Sequence, residues 1–381
     1  MSQTWPVLLT CATGLETLLR AEVESLGLAQ GPIRQELGQL RFDTDRLGLH
    51  RALIQLGLAS SLELSLAHIK ALSFGELVNK VRRLPWTDWL IPGQAFDVRA
   101  RARKSKLYHS GGIEERVAQG MLAVLGEPAE LPDEDEMAGL PRVQVRFAHD
   151  VAELSLDLAG RPLHQRGYRL DPGQAPLRED LARALILCSG WDREATLLDP
   201  FCGSGTILIE AALLARNQAP GLSRPHALER TALYDPDLSS ALRLQAKAEA
   251  RETLSAALLG SDRDERALAA CRANAERAGV LEDLTLHQAP LAEAPILGHP
   301  EEAPAEGYLV SNPPLGQRLG GKKLAHLYQN LGTRCSALPT GWHLALTSSD
   351  SRLTRKVGIP LEARARVSHG GLSVQYLCSK S

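Results

Sequence analysis

The stretch that decides the fold is residues 196–212, TLLDPFCGSGTILIEAA. A short apolar run ends at Asp199, two glycines follow at alternate positions (Gly203 and Gly205), and a segment rich in Ile, Leu and Ala comes next. This order predicts a buried strand, a glycine loop and the first turn of a helix, which is the usual layout of a nucleotide site in an open α/β sheet. The glycines let the backbone approach a ligand where a Cβ would clash.

The chemistry of this loop narrows the class of ligand. It contains no Gly-Lys-Ser/Thr, and its spacing departs from Gly-x-Gly-x-x-Gly, so a phosphate cradle of the P-loop type is disfavoured. The helix N-terminus beyond the loop offers unpaired N–H groups. Asp199, at the strand end, suits a cationic ammonium group better than a pyrophosphate. We therefore expect a nucleotide-like ligand that carries a positive charge.

A second motif, Ser311-Asn312-Pro313-Pro314, directly follows an apolar run at residues 308–310. It predicts another strand end, which carries an amide side chain and then two prolines. The prolines fix φ and remove two backbone donors, so the carbonyls here remain available to accept hydrogen bonds from a ligand. The alternative interpretation is a rigid turn that closes a strand.

Composition limits the class of protein. The chain has 381 residues, of which 44% are hydrophobic, and this predicts two or three globular domains. No apolar run reaches membrane-spanning length and residues 1–9 lack signal-peptide character, so we expect no membrane partner. The six cysteines are scattered without Cys-x-x-Cys pairs, which disfavours a metal site and disulfides and indicates the cytoplasm. With a net charge of -2, a nucleic-acid partner would need local basic patches.

Two α+β units precede the glycine loop. Residues 1–60 show the periodicity of strands at 7–10 and 39–42 and of helices at 14–27 and 45–58. Residues 61–157 form the second unit, with a strand at 96–103, a helix at 110–124 and a final hairpin at 143–147 and 153–157.

The strand at 96–103 carries a basic strip. Its alternation places Arg99, Arg101 and Arg103 on one face, with Lys104 and Lys106 just beyond. Like charges clustered on one face cost stability unless something neutralises them, which favours contact with RNA phosphates. The alternative is a solvated sheet face.

Residues 158–180 form a linker rich in Gly and Pro. Its basic and aromatic residues suit contact with single-stranded RNA, and the candidates are Arg166, Tyr168 and Arg169. For Arg166 and Tyr168 a structural latch between domains is the alternative.

From residue 181 onward helices and strands alternate. The strands are predicted at 196–199, 257–262, 284–288, 308–312 and 342–347, with a closing hairpin at 364–368 and 373–377. Helices are expected at 181–187, 207–216, 239–254, 265–278 and 324–338, and a polar insertion covers 217–255. This pattern gives a mostly parallel sheet with ligands at the carboxyl ends of its strands. Asp262 ends the second strand, where a carboxylate can accept both ribose hydroxyls of a nucleoside; Asp264 is the better helix cap.

Together these motifs resemble the THUMP-domain class I S-adenosylmethionine-dependent RNA methyltransferases, most of all the 23S ribosomal RNA guanine-N2 members. The resemblance rests on residues 10–22, 166–169, 199–206, 219–222, 260–264 and 312–319. It implies an α/β fold, with a ferredoxin-like region at 1–60, a THUMP RNA-binding domain at 61–157 and a linker at 158–180. A Rossmann-like methyltransferase domain, with a mostly parallel seven-stranded sheet, would follow at 181–381.

The resemblance also implies the site residues. S-adenosylmethionine would be bound by Asp199, Phe201, Gly203, Ser204, Gly205, Thr206, Asp262, Arg263 and Asn312. The catalytic loop would be Asn312, Pro313, Pro314 and Leu315. In this family the Asn oxygen and the following carbonyl accept the two hydrogens of an exocyclic amine, here the N2 amine of guanine. The expected partner is structured RNA, with 23S ribosomal RNA favoured over tRNA, and the expected state is a monomer.

Two positions depart from the family pattern. Leu315 replaces a tyrosine that stacks on the target base, and Pro290 stands where an acid usually binds the adenine amine. We expect weaker base binding with the chemistry retained. Three alternatives stay open: an adenine-N6 methyltransferase, an RNA-binding or assembly factor with weakened or lost catalysis, and a different nucleoside in the glycine loop.

Overall fold

The computed structural model describes residues 3–129, 139–170, 177–314, 321–369 and 372–380. The chain forms two compact units, and neither is continuous in sequence. The N-terminal unit comprises Met1–Cys11, Arg20–Leu163 and Gly221–Gln245. The C-terminal unit comprises Ala12–Leu19, His164–Pro220 and Ala246–Ser381. The domain boundaries expected from the sequence, at residues 60, 157 and 180, stay predictions.

One seven-stranded sheet runs through the N-terminal unit. Its strands are β1 (Thr4–Thr10), β2 (Arg34–Glu36), β3 (Gln39–Asp45), β4 (Ser61–Lys70), β5 (Asp97–Arg103), β6 (Arg142–Ala148) and β7 (Val151–Asp157). Their order is β2-β3-β1-β4-β7-β6-β5, and all neighbours are antiparallel except the parallel pair β5 and β6. The two α+β regions expected from the sequence therefore share a single sheet, joined where β1 pairs with β4.

The helices of this part of the chain are α1 (Glu16–Ser25), α2 (Arg46–Gln55), α3 (Phe74–Val81) and α4 (Ser110–Leu125). Side-chain caps mark where α2 and α3 begin. The Asp45 carboxylate accepts the Gly48 N–H at 2.8 Å, and the Ser73 hydroxyl accepts the Glu76 N–H at 3.3 Å. Both residues are favoured N-caps, because their oxygens satisfy N–H groups that lack a helical partner.

The C-terminal unit contains the second seven-stranded sheet. Its strands are β8 (Thr196–Asp199), β9 (Leu258–Asp262), β10 (Leu284–Gln288), β11 (Glu306–Ser311), β12 (Gly341–Ser348), β13 (Leu361–His369) and β14 (Leu372–Ser379). The order is β10-β9-β8-β11-β12-β14-β13. The first five strands are parallel, and β14 pairs antiparallel with both β12 and β13. The mostly parallel seven-stranded sheet expected from the sequence is confirmed.

Helices flank this sheet. They are α5 (Glu179–Ser189), α6 (Thr206–Ala215), α8 (Glu265–Ala278), α9 (Gly321–Cys335) and α10 (Ser351–Val357); α7 (Pro236–Ala248), between α6 and α8 in sequence, belongs mostly to the N-terminal unit. Asp264 caps α8 as predicted, since its carboxylate accepts the Arg266 N–H at 3.0 Å. The helix predicted at 239–254 instead ends at Ala248, and beyond it the Arg251 N–H donates to the Arg216 carbonyl at 2.7 Å. On one face Leu198, Leu309 and Leu344 pack with Tyr328 and Leu331 of α9 in the core.

Part of the polar insertion belongs to the N-terminal unit. Within that unit the Gly221 N–H donates to the Ile54 carbonyl at 2.8 Å, and the Leu228 N–H donates to the Leu158 carbonyl at 2.9 Å. A Cβ at Gly221 would lie 2.0 Å from the Leu53 carbonyl oxygen, so only glycine fits there. Residues 221–245 therefore complete a unit whose other segments lie before residue 164.

Within the described ranges no helix has the length and apolar character needed to cross a membrane.

Candidate functional site

The candidate site lies at the carboxyl ends of β8, β9 and β11. These strands are neighbours, because Leu198 of β8 pairs with Leu259 of β9 on one side and with Leu309 of β11 on the other, both in parallel register. The glycine loop after β8, Asp262 at the end of β9 and Asn312 after β11 therefore lie at one edge of the sheet. This edge is where open α/β sheets bind their ligands.

Asp199 connects two of these strand ends. Its Oδ1 accepts the Ser311 hydroxyl at 2.5 Å and the Phe201 N–H at 3.1 Å. The side chain is buried, with 1% of the residue exposed, and burial raises the pKa of Asp199 to about 7. A cation placed nearby would favour the ionised carboxylate and lower that pKa.

The two loop glycines have different surroundings. Both adopt left-handed backbone conformations, with φ of +53° at Gly203 and +83° at Gly205. A Cβ at Gly205 would lie 2.3 Å from Cys271 Sγ, so α8 packs directly against the loop there. At Gly203 the nearest heavy atom to such a Cβ is the Phe201 carbonyl oxygen at 4.0 Å. Gly205 therefore serves packing, and Gly203 presents the open side of the loop.

Asp262 holds the loop from the neighbouring strand. The Gly203 N–H donates to its Oδ2 at 3.1 Å, and the Asp264 N–H donates to its Oδ1 at 3.0 Å. The side chain is half-buried, and Arg263 beside it is exposed. Because Asp264 caps α8, Asp262 is not needed for that role.

The start of α6 completes the loop. No side chain caps this helix, whose N-cap position is Gly205. Ser204 and Thr206 are buried, Phe201 is half-buried, and the Asn274 side-chain amide donates to the Ser204 carbonyl at 3.1 Å. The free N–H groups at this helix start suit a carboxylate, Asp199 suits an ammonium group, and Asp262 suits ribose hydroxyls; S-adenosylmethionine carries all three groups. The residues present therefore fit S-adenosylmethionine.

The loop after β11 contains the second predicted motif. Asn312 is half-buried, Pro313 is buried and Pro314 is exposed. The Thr347 hydroxyl of β12 hydrogen-bonds to Asn312 Oδ1, and the Tyr328 hydroxyl of α9 donates to the Pro314 carbonyl at 3.3 Å. Leu315 and the motif at 316–319 lie outside the described residues.

Pro290 follows β10 and is exposed. It precedes a short 3₁₀ turn, Leu291–Glu293, and the preceding Ala289 N–H donates to the Asp262 carbonyl at 3.1 Å. This stretch places backbone groups close to the end of β9, at the position where the family usually has an acid.

The structure places the predicted linker residues in a buried polar cluster around Glu210 of α6. Arg166 and Tyr168 are 9% and 4% exposed. The Tyr168 hydroxyl donates to Glu210 at 3.1 Å, and the Arg166 guanidinium lies 3.6 Å from the same carboxylate. Arg169 is half-buried and pairs with Glu179 at 3.1 Å. A buried carboxylate requires such partners, so Arg166 and Tyr168 hold Glu210 inside the C-terminal unit and are not placed for surface contact with RNA.

The basic strip lies on β5 and the loop that follows it. Arg99 pairs with Asp97 at 3.1 Å. Arg101, Arg103, Lys104 and Lys106 are exposed, and no ion pair joins the two arginines to any other described residue.

Three further residues of interest were not predicted from the sequence. Ser311 and Thr347 contact site residues, and Tyr108 is 78% exposed beside the basic strip. An aromatic residue within two positions of Lys106 was a usable signal for Tyr108. No local pattern marks Thr347, because its partner lies 35 residues away in the chain.

Family models match three consecutive segments of the chain. Residues 7–60 match the RlmL ferredoxin-like domain, residues 71–157 match the THUMP domain, and residues 166–370 match the RMKL-like methyltransferase domain. Within the described residues no group of three or more His, Cys, Asp or Glu side chains could hold a metal ion.

Relatives and solved structures agree with these matches. The chain is 30% identical over 382 residues to the ribosomal RNA large subunit methyltransferase K/L of Marinomonas sp. (strain MWYL1), covering 97% of this chain but only 52% of that relative. It therefore spans about half the length of that protein. It is 32% identical over 375 residues to a Synechocystis sp. protein named "Putative RNA methyltransferase slr0064", covering 97% of this chain and 95% of the relative.

The fold is similar to the crystal structure of SMU.472, "a putative methyltransferase complexed with SAH". The TM-score is 0.88 at 28% identity, and the match covers 100% of this chain and 99% of the other. The chain therefore belongs to the RMKL-like methyltransferase family, with the ferredoxin-like and THUMP domains preceding the methyltransferase domain.

Proposed function

We propose that this protein transfers a methyl group from S-adenosylmethionine to the exocyclic N2 amine of a guanosine in structured RNA. The first candidate substrate is 23S ribosomal RNA, and tRNA is the second. The observation that carries the proposal is the hydrogen bond between Ser311 and Asp199, which joins the candidate cofactor loop to the candidate target loop. The THUMP match and the name of the Marinomonas relative support RNA as the substrate.

The cofactor would be held by the ends of β8 and β9. The ionised Asp199 carboxylate would attract its ammonium group, and Asp262 would accept the ribose hydroxyls. The Gly203 backbone admits the ligand on its open side. The other residues proposed for the cofactor are Phe201, Ser204, Thr206 and Arg263, with Gly205 shaping the loop through its packing; Asn312 is assigned to the target amine. When bound, S-adenosylmethionine supplies an electrophilic methyl group on a sulfonium sulfur.

The target amine would be bound by the loop after β11. The amine of guanine is a poor nucleophile, because its lone pair is delocalised into the ring. Asn312 Oδ1 and the Pro313 carbonyl would accept its two hydrogens and turn the lone pair toward the methyl group. The surplus proton then leaves to solvent, so no general base is needed before transfer. Positioning of the reactants and electrostatic stabilisation of the transition state would supply most of the rate enhancement.

The proposed loop continues with Pro314 and Leu315. Tyr328 supports it by donating to the Pro314 carbonyl. Leu315 would give the base apolar contact in place of aromatic stacking. The base must leave any stack before it can reach this loop.

RNA recognition is proposed for the N-terminal unit. Its exposed cations would contact phosphates, and the residues are Arg99, Arg101, Arg103, Lys104 and Lys106. In the linker Arg169 is proposed to contact RNA, while Arg166 and Tyr168 would hold Glu210 inside the C-terminal unit. We further propose a monomer that works in the cytoplasm.

One experiment tests this function. The purified chain is incubated with radiolabelled S-adenosylmethionine and either 23S ribosomal RNA or tRNA, and the RNA is then digested to nucleosides for mass spectrometry. N2-methylguanosine that is absent with Asn312→Ala supports the proposal. N6-methyladenosine would assign the same site to another amine. Absence of both methyl transfer and calorimetric binding of S-adenosylmethionine would favour an RNA-binding factor without catalysis.

A further inference from the structure

Thr347 lies near the carboxyl end of β12, next to the target loop. β12 is the parallel neighbour of β11, with Ser311 opposite Leu346. The Thr347 side chain is fully buried, and its hydroxyl hydrogen-bonds to Asn312 Oδ1. Among the described residues, the Asn312 side chain makes this one hydrogen bond.

The contact bears on which end of the Asn312 amide faces the substrate. An asparagine side chain carries an accepting oxygen and a donating nitrogen, and only the oxygen can accept a hydrogen from an amine. The amide torsion of asparagine is broad, so the side chain does not choose an orientation by itself. A hydroxyl held beside Oδ1 fixes the orientation of the amide. The second lone pair of Oδ1 remains available to accept a hydrogen from the target amine.

Thr347 is suited to act as a fixed donor. Threonine is branched at Cβ and its χ1 torsion is restricted, and this residue lies inside a strand that is paired with β11 and β14. The next hydroxyl along, Ser348, is directed elsewhere: it donates to the Asp350 carbonyl at 3.2 Å and accepts from the Thr354 hydroxyl at 2.9 Å. The hydroxyl beside Asn312 thus belongs to a side chain with little freedom to move.

We infer that Thr347 is a positioning residue that fixes the Asn312 amide with its oxygen toward the target amine. This inference rests on the proposed function. Thr347 does not contact the substrate, and it acts only through Asn312. Its loss should therefore slow the methyl-transfer step and leave binding of S-adenosylmethionine unchanged.

The test compares three variants of the full chain. Thr347→Val keeps the shape and removes the hydroxyl, whereas Thr347→Ser keeps the hydroxyl. Thr354→Val is the matched control, since it removes a nearby hydroxyl that bonds to Ser348 and the Asp350 carbonyl and has no bond to Asn312. Single-turnover methyl transfer, KM for RNA, affinity for S-adenosylmethionine and Tm are measured for each.

For Thr347→Val we expect a transfer rate about 10- to 100-fold lower, with cofactor affinity unchanged, because a misplaced catalytic group costs up to about 100-fold. Thr347→Ser should restore most of the rate, and Thr347→Val should cost nothing further in an Asn312→Ala background. A wild-type rate in Thr347→Val, or a Thr347→Ser variant as slow as Thr347→Val at unchanged Tm, would overturn the inference. A wild-type chain that methylates no guanine would instead refute the proposed function, and this inference with it.

Discussion

The hydroxyl of Ser311 donates a 2.5 Å hydrogen bond to the carboxylate of Asp199, a residue 112 positions earlier in the chain. This bond joins the end of β11 to the end of β8, so that two motifs far apart in sequence form one site. It also links the ionisation of the carboxylate proposed to bind the cofactor to the first residue of the Ser311-Asn312-Pro313-Pro314 motif.

Cofactor affinity should depend on pH through Asp199. Burial raises the pKa of Asp199 to about 7, so the carboxyl is neutral below that pH and ionised above it. The ammonium group of the ligand prefers the ionised form, and affinity should therefore fall as the pH is lowered from 7.5 to 5.5. The α-amino group, with an ordinary pKa of about 7.7–8.0, keeps most of its charge over this range. Calorimetric titrations across the range measure the effect.

Two variants control this pH dependence. Asp199→Asn should bind more weakly and show a flat profile. Ser311→Ala removes a hydrogen bond that favours the carboxylate, so its profile should move to higher pH. In the ligand-free protein, stability changes with pH in the direction opposite to cofactor affinity. Because the folded pKa exceeds the ordinary value of 3.8, the contribution of Asp199 to stability is fully present below 3.8 and is lost as the pH rises through about 7. A pH-independent affinity in the wild type would show that Asp199 does not face the ammonium group.

Asn312→Ala should greatly slow methyl transfer without loss of cofactor binding. The side chain is proposed to orient the amine, and loss of one preorganised hydrogen-bonding group costs about 10²–10³-fold in rate. Radiolabel incorporation into RNA and calorimetry with S-adenosylmethionine measure the two properties separately. If both fall together, the loop serves the cofactor and its assignment to the target base is wrong.

Alanine at the two loop glycines should have different effects. Gly203→Ala should cost about 1–2 kcal/mol of stability from its left-handed backbone alone, and it should weaken cofactor binding on the open side. Gly205→Ala bears the same strain and also a Cβ 2.3 Å from Cys271 Sγ, so overpacking should add about 1–3 kcal/mol. Urea unfolding of both variants gives the comparison. Cys271→Ala should recover part of the loss in Gly205→Ala and none in Gly203→Ala.

Removing the exposed arginines should weaken RNA binding in a salt-dependent way. Arg101→Gln with Arg103→Gln should reduce the slope of log affinity against log salt by up to about 0.7–0.9 for each phosphate that is no longer neutralised. Arg99→Gln is the comparison, with a smaller expected effect, because Arg99 pairs with Asp97 at 3.1 Å, a carboxylate that it shares with Arg142. Tyr108→Ala should cost about 1–3 kcal/mol with little salt dependence if a base stacks on it. Unchanged affinity of the double variant at low salt would identify the strip as solvated surface.

The N-terminal unit should not fold when the chain ends at residue 163. Such a fragment lacks residues 221–245, which belong to this unit. It also lacks Arg224, a buried side chain that donates to the Pro162 carbonyl at 2.9 Å and the Arg161 carbonyl at 2.5 Å. Circular dichroism during urea unfolding should show no cooperative transition in the fragment. Adding residues 221–245 through a flexible linker should restore one, and a fragment that unfolds cooperatively without them would contradict this prediction.

Local signals were enough to predict much of the C-terminal unit. The apolar run before Asp199 defines β8, and Asp264 with the alanine-rich segment that follows defines α8; both have the predicted bounds. Such elements are fixed by residues next to one another in sequence. The mostly parallel seven-stranded sheet was expected from the family resemblance, and the meeting of the two motifs followed from the rule that such sheets bind ligands at the carboxyl ends of their strands.

Contacts between residues that are far apart in the chain could not be predicted from the sequence. In the sequence, Arg166 and Tyr168 look like exposed RNA contacts, because their partner Glu210 lies more than 40 residues later in the chain, on α6. In the same way, nothing around Gly221 signals that its N–H bonds to Ile54. These features depend on contacts between distant residues, and a single sequence does not show which residues contact each other.

The discontinuity of the N-terminal unit has a consequence during synthesis. Chains emerge from the ribosome N-terminus first and domains tend to fold as they appear. Here β1 to β7 are translated long before Gly221–Gln245, and the intervening His164–Pro220 belongs to the other unit. Nascent β1 to β7 therefore remain incompletely covered, and accessible to chaperones, until residues 221–245 have also emerged from the ribosome.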